Sequence, residues 1–113
     1  MKKLVTICLI SLTCIFHSFK VEAETVSVKY RGLVDLSEFD CTDTVSSLVN
    51  RVCYQKQNQY LIVLLKSEYY HYCRIPEAVV QRWLKAESKG KFYNAEIKGN
   101  FDCRLGGVPG VLS

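Results

Sequence analysis

Tyr60-Leu61-Ile62-Val63-Leu64-Leu65 is an unbroken apolar run bounded by polar residues on both sides. It reads as a strand, and its continuity says that it is buried on both faces, because a half-exposed strand would alternate. Outward from it, Gln55-Lys56-Gln57-Asn58-Gln59 is wholly polar and makes one turn, and Lys66-Ser67-Glu68 makes the next. Beyond these turns Leu48–Tyr54 reads as a strand of imperfect alternation and Tyr69–Cys73 as an aromatic strand. Strands joined by short polar turns form an antiparallel meander.

A helix follows. Pro76 suits its first position and Glu77 the positive end of its dipole. Val79, Val80, Trp83 and Leu84 form a stripe that would cover one sheet face. Ser88-Lys89-Gly90 ends the helix, with Gly90 as a left-handed cap. Lys91–Phe101 is a return segment with a turn at Lys98-Gly99-Asn100. Residues 105–113 hold three glycines and Pro109 and read as a loose tail. Upstream, Thr25–Tyr30 alternates as a short strand before a turn at Gly32, and Leu33–Phe39 is mixed in character. The expected fold is α+β: a small antiparallel meander of three to four strands packed on one helix and stapled by two disulfides.

The N-terminus places this domain outside the cytoplasm. Met1-Lys2-Lys3 is a positive start, Leu4–Phe16 an uncharged run of signal-peptide length, and Val21-Glu22-Ala23 a peptidase site. The run is shorter than the ~20 residues of a membrane-spanning helix. Cys14 follows Thr13, where a lipobox needs a small Gly, Ala or Ser, so lipidation is disfavoured. The expected organisation is a signal at 1–23, one domain at 24–104 and a tail at 105–113. Without Lys2, Lys3, Lys20 and Glu22 the net charge falls from +4 to +2. That balance is too mild to argue for nucleic acid by itself.

Cys41, Cys53, Cys73 and Cys103 remain after the signal, an even number in a short exported chain, and read as two disulfides. No Cys-x-x-Cys knuckle is present, so a zinc site is disfavoured and no metal or cofactor is expected. The meander puts Val52 and Tyr54 on one face with Tyr70 and Tyr72, and Cys53 and Cys73 on the other. With a strand between them, Cys53 and Cys73 stand about 9–10 Å apart, beyond the ~7 Å limit of a bridge. Cys41 and Cys103 must then each take one of them, covering the second face with the two chain ends. Which end takes which cysteine stays open.

Four pieces in order carry a family resemblance: Ser46-Ser47-x-Val49-x-x-Val52-x-Tyr54; Leu61-x-Val63-x-Leu65; Tyr70-x-Tyr72-x-x-Ile75-Pro76; and Ala86-x-Ser88-x-Gly90-x-Phe92-x-Asn94-x-x-Ile97. Together, over about residues 45–101, they resemble the KTSC domain, named for its place at the C-terminus of some lysyl-tRNA synthetases. The resemblance implies RNA binding through that context. This chain departs from the setting by its signal, its cysteines and its N-terminal extension, and an exported compartment holds little ordered RNA.

Candidate contacts fall in two groups. Tyr69 and His71 stand in the Tyr69-Tyr70-His71-Tyr72 cluster, whose rings could stack bases or pack as sheet residues. Lys89 and Lys91, with Lys98, form a basic loop that could grip an anion or simply be solvated. Asn94 reads as a loop-fixing residue. Catalysis is poorly supported: His71 is the only histidine left after the signal, and paired cysteines leave no thiol nucleophile. A nuclease combining Glu68, His71 and Arg74 is the remaining enzymatic arrangement. The reading is therefore a non-enzymatic periplasmic or secreted binding or accessory module, whose partner is an envelope protein or a polyanion. Inhibition of a secreted hydrolase is the third reading.

Overall fold

The computed structural model describes residues 24–105. The segment read as a signal and residues 106–113 of the tail lie outside the described residues. Six strands form one mixed sheet: β1 (Thr25–Val28), β2 (Gly32–Asp35), β3 (Asp40–Asp43), β4 (Val49–Gln55), β5 (Tyr60–Leu65) and β6 (Glu68–Tyr72), in the order β2-β1-β6-β5-β4-β3. β4, β5 and β6 are the expected antiparallel meander, with Cys53 opposite Ile62 and Ile62 opposite His71. The expectation of three to four strands is too small. β2 and β3 are four-residue, mostly exposed edge strands, and an edge strand of Asp40-Cys41-Thr42-Asp43 carries none of the apolar pattern that marks an interior one. β1 joins β6 in parallel through a single pair, Val28 with Tyr69.

The connection from β2 to β3 dictates the sheet's shape. These strands are the two outer edges, five strand spacings apart, or ~24 Å in a flat sheet. Residues 36–39 join them, and the five peptide units from Asp35 to Asp40 reach at most ~18 Å. The sheet therefore curls, and the connection crosses its concave face. Leu36 on that connection is buried, and Phe39 meets the Tyr60 ring edge-on at 5.9 Å.

β5 thus has cover on both sides, as its continuous apolar sequence requires. On the first face Val52, Tyr54, Leu61 and Val63 pack against Ile75, just before the first helix, and against Val80, Trp83, Tyr93 and Ile97 from the helical segments. On the second, concave face Cys53, Tyr60, Ile62 and Cys73 pack against Val28, Val34, Leu36 and Cys103 from the chain ends. The disulfides are Cys41–Cys53 and Cys73–Cys103. Each chain end is tied to the meander strand beside it, and Cys53 and Cys73 are not joined to each other.

Two helices, not one, cover the first face. α1 (Glu77–Lys85) has Pro76 at its N-cap, one position earlier than expected, and buries Val80 and Trp83. It stops at Ala86, which is extended. Gly90 is not a left-handed cap. Ser88 opens a second helix, its Oγ accepting from the Lys91 N–H at 3.1 Å, and α2 (Lys89–Phe92) runs on into a π-helical turn, Tyr93–Ile97. Trp83 stacks on Phe92 and Tyr93, at 6.3 and 6.1 Å between ring centres. A helix C-terminus needs its carbonyls satisfied, and here the Lys89 ammonium supplies the bond, to the Ala86 carbonyl at 2.6 Å.

Candidate functional site

β6 is paired along its whole length by β5 but only at one point by β1. The chain leaves β6 after the Lys29 N–H donates to the Tyr69 carbonyl at 2.9 Å, and it turns back as β2. At the other end the Cys73 N–H donates to the Phe101 carbonyl at 2.8 Å. Between these contacts lies a cleft of about 520 Å³, lined by Tyr30, Tyr70, His71, Tyr72, Gly99, Asn100, Asp102, Cys103 and Arg104. Its floor is the edge of β6, so side chains from both sheet faces reach it. One wall is the β1–β2 turn and the other is the segment that the Cys73–Cys103 bridge holds in place.

Tyr30 stands at the tip of the first wall, 85% exposed and with φ 71°. A bulky side chain in the left-handed region is costly, and such residues gather at binding sites. The Lys29 ammonium lies 5.7 Å from the Tyr30 ring centre and 6.0 Å from that of Tyr70, which places a cation between two ring faces. On the floor, the Tyr72 and Tyr93 hydroxyls bond at 2.5 Å. Burial first, and then this bond, push the Tyr72 hydroxyl well above the ordinary tyrosine range.

His71 is held by a chain of bonds. The Arg31 guanidinium donates to the Tyr60 hydroxyl at 2.9 Å, and that hydroxyl lies 2.8 Å from His71 Nδ1. Arginine cannot accept a hydrogen bond, so Tyr60 accepts from Arg31 and keeps its own proton available for Nδ1. Burial, and secondarily the Arg31 charge, lower the His71 pKa, with Asp102 opposing them. The imidazole is neutral at pH 7. On the far wall, Arg104 grips Asp102 through both carboxylate oxygens, at 2.5 to 3.0 Å, and holds its carboxyl down at about 2.

The two groups of sequence candidates are not brought together. Tyr69 and His71 belong to the concave side. Tyr69 packs against the cystine-bearing cluster, and its hydroxyl accepts from Arg51 at 3.3 Å. Lys89, Lys91 and Lys98 belong to the helical side. Lys89 is committed to Ala86 and accepts the Trp83 indole N–H at its carbonyl, 3.1 Å away. Lys91, Lys98 and Asn94 are exposed. Glu68 and His71, three apart on a strand, point to opposite faces. Of the candidates only His71 lines the cleft. Sequence reasoning missed Tyr30, Asn100, Asp102 and Arg104. A signal was available for the last two: they flank Cys103, and a bridge from Cys103 to Cys73 sets them beside Tyr72.

A smaller groove of about 180 Å³ between β3 and α1 carries Glu38, Asp40 and Glu77. No grouping of metal-ligating side chains occurs among the described residues, and no helix among them is long and apolar enough to cross a membrane.

The sequence profile of the KTSC domain matches residues 45–101, which hold the whole meander and both helices. Among solved structures, the chain is similar to a KTSC domain protein from Yersinia pestis, at 30% identity and a TM-score of 0.54, over 56% of this chain and 90% of that one. No curated protein matches it. With the profile match spanning the meander and the helix pair that packs on it, the chain belongs to the KTSC domain family.

Proposed function

We propose that this chain is an exported, non-enzymatic binding domain whose ligand occupies the cleft beside β6. The cleft itself carries the reading. It combines exposed tyrosine faces with a few fixed polar groups, the composition of a small-ligand site, and its volume lies in the usual range. The groups that could do acid–base work are already engaged: His71 Nδ1 by Tyr60, and Asp102 by Arg104. Two disulfides favour an oxidising compartment, as does the signal-like N-terminus. A second reading, binding of a polyanion such as single-stranded nucleic acid, is favoured by Lys29 lying between two tyrosine rings at the rim.

Amide-detected titration of the oxidised protein with a library of small polar and aromatic compounds tests the first reading. Shifts should gather at Tyr30, His71, Asn100 and Arg104, and a library that moves none of them would sink it. Single-stranded RNA and DNA titrated at several salt concentrations test the second, which requires a steep loss of affinity with salt.

A further inference from the structure

We infer that the cleft takes a short extended peptide, bound edge-on as an added strand by the main chain of His71. The inference rests on the cleft being the ligand site and names what it accepts. Alternate residues of a strand direct their N–H and C=O groups to the same edge. Tyr69 uses its carbonyl toward Lys29, and Cys73 uses its N–H toward Phe101. His71 lies midway between them, so its N–H and C=O point to that same edge. There β1 has already turned away and residue 101 has not yet arrived. Among the described residues no main-chain group bonds to either of them.

This vacant place has a definite chemistry. It offers one donor and one acceptor at strand spacing, flanked on both sides by positions that are already paired. A peptide backbone supplies the complementary acceptor and donor at that spacing, the mode of β-strand addition. Tyr69 to Cys73 spans about 13 Å of strand, which limits the bound segment to about three or four residues. The lining agrees with an edge-on ligand. Tyr70 and Tyr72 belong to one sheet face and His71 to the other, yet all three line one cleft, which places the cleft along the strand edge rather than on a face. Tyr30 closes over the top and would meet a side chain of the incoming strand.

The test is an amide-detected titration of the oxidised protein with acetyl-Ala-Ala-Ala-N-methylamide. Alongside it run three analogues, each with the N–H of one alanine replaced by an ester oxygen, and a trimer of N-acetylglucosamine as a non-peptide control. The largest shift should fall on the His71 amide, with smaller ones at Tyr70, Tyr72 and Arg104. At least one ester should bind about fivefold to tenfold more weakly, the value of one lost hydrogen bond. Tyr30→Gly, which the local φ of 71° accommodates, should weaken the peptide about fivefold while leaving the other amide positions unchanged. Equal binding of all three esters would overturn main-chain readout. Cleft shifts with the sugar trimer or an aromatic fragment but none with the peptide would overturn the peptide and leave the cleft reading standing. Silence of every probe at the cleft would remove both.

Discussion

Replacing Gly90 with alanine distinguishes two accounts of the segment after α1 by the sign of a single measurement. A glycine acting as a left-handed helix cap resists substitution, because any Cβ there costs about 1–2 kcal/mol. In the structure Gly90 is instead the second residue of α2, and its φ is not positive. A Cβ built on it would stand 3.6 Å from Leu48 Cβ, 3.9 Å from Leu48 Cδ2 and 3.9 Å from Ser46 Oγ. These are ordinary van der Waals contacts, so nothing has to move. Alanine is favoured over glycine inside a helix by about 1 kcal/mol, partly through the reduced freedom of the unfolded chain. A first-turn position realises about half of that. Gly90→Ala should therefore stabilise the domain by about 0.5 kcal/mol, a rise of about 2–4 °C in Tm for a domain of this size. Urea unfolding followed by the fluorescence of Trp83, the single and fully buried tryptophan, measures it. A loss of about 1 kcal/mol or more would refute the helical placement of Gly90 and restore the cap.

The two disulfides close loops of 12 and 30 residues. The chain-entropy relation assigns them about 2.8 and 3.6 kcal/mol, so urea unfolding should find Cys73→Ala/Cys103→Ala less stable than Cys41→Ala/Cys53→Ala, and the reverse order would count against the account. Faster amide exchange at Asn100–Arg104 should accompany only the first variant, since that bridge holds the cleft's far wall. His71 has a folded pKa below its ordinary 6.5, so the unfolded chain binds the proton more readily. Stability should be full above about pH 6.5 and should fall as pH drops from there to the folded value. Urea midpoints between pH 8 and 5 test this against His71→Gln, which should lack the slope. Midpoints that rise as pH falls would contradict the buried, neutral ring.

The meander was legible because it is local. A continuous apolar segment between two polar turns can satisfy itself only as an interior strand, and its two-sided cover followed from Leu61 and Ile62 standing side by side with opposite orientations. The same alternation separated Cys53 from Cys73. β2 and β3 were not legible, since four residues with exposed aspartates become a strand only when a neighbour pairs with them. The second helix was hidden because Gly90 suits the end of a helix while Ser88 suits the start of one. Only the Oγ bond to the Lys91 N–H decides between the two. The cleft was the least legible feature. It arises where β1 leaves β6, and the length of a parallel pairing between distant segments leaves no mark in local composition. Tyr30 and Arg104 acquire a common environment only through that geometry.

The two sides of the sheet are sealed by chain of different origin. The helical side is closed by residues 75–97, which follow the meander directly, so it can form as soon as the meander does. The concave side is closed by residues 26–41 and by Cys103, all outside the 45–101 stretch that defines the family. A chain reduced to that stretch would bare Tyr60 and Ile62, buried to within 2% here, along with both inner cysteines. In this protein, clipping either terminus has one physical result: an apolar sheet surface opens to water, and with it a route to aggregation.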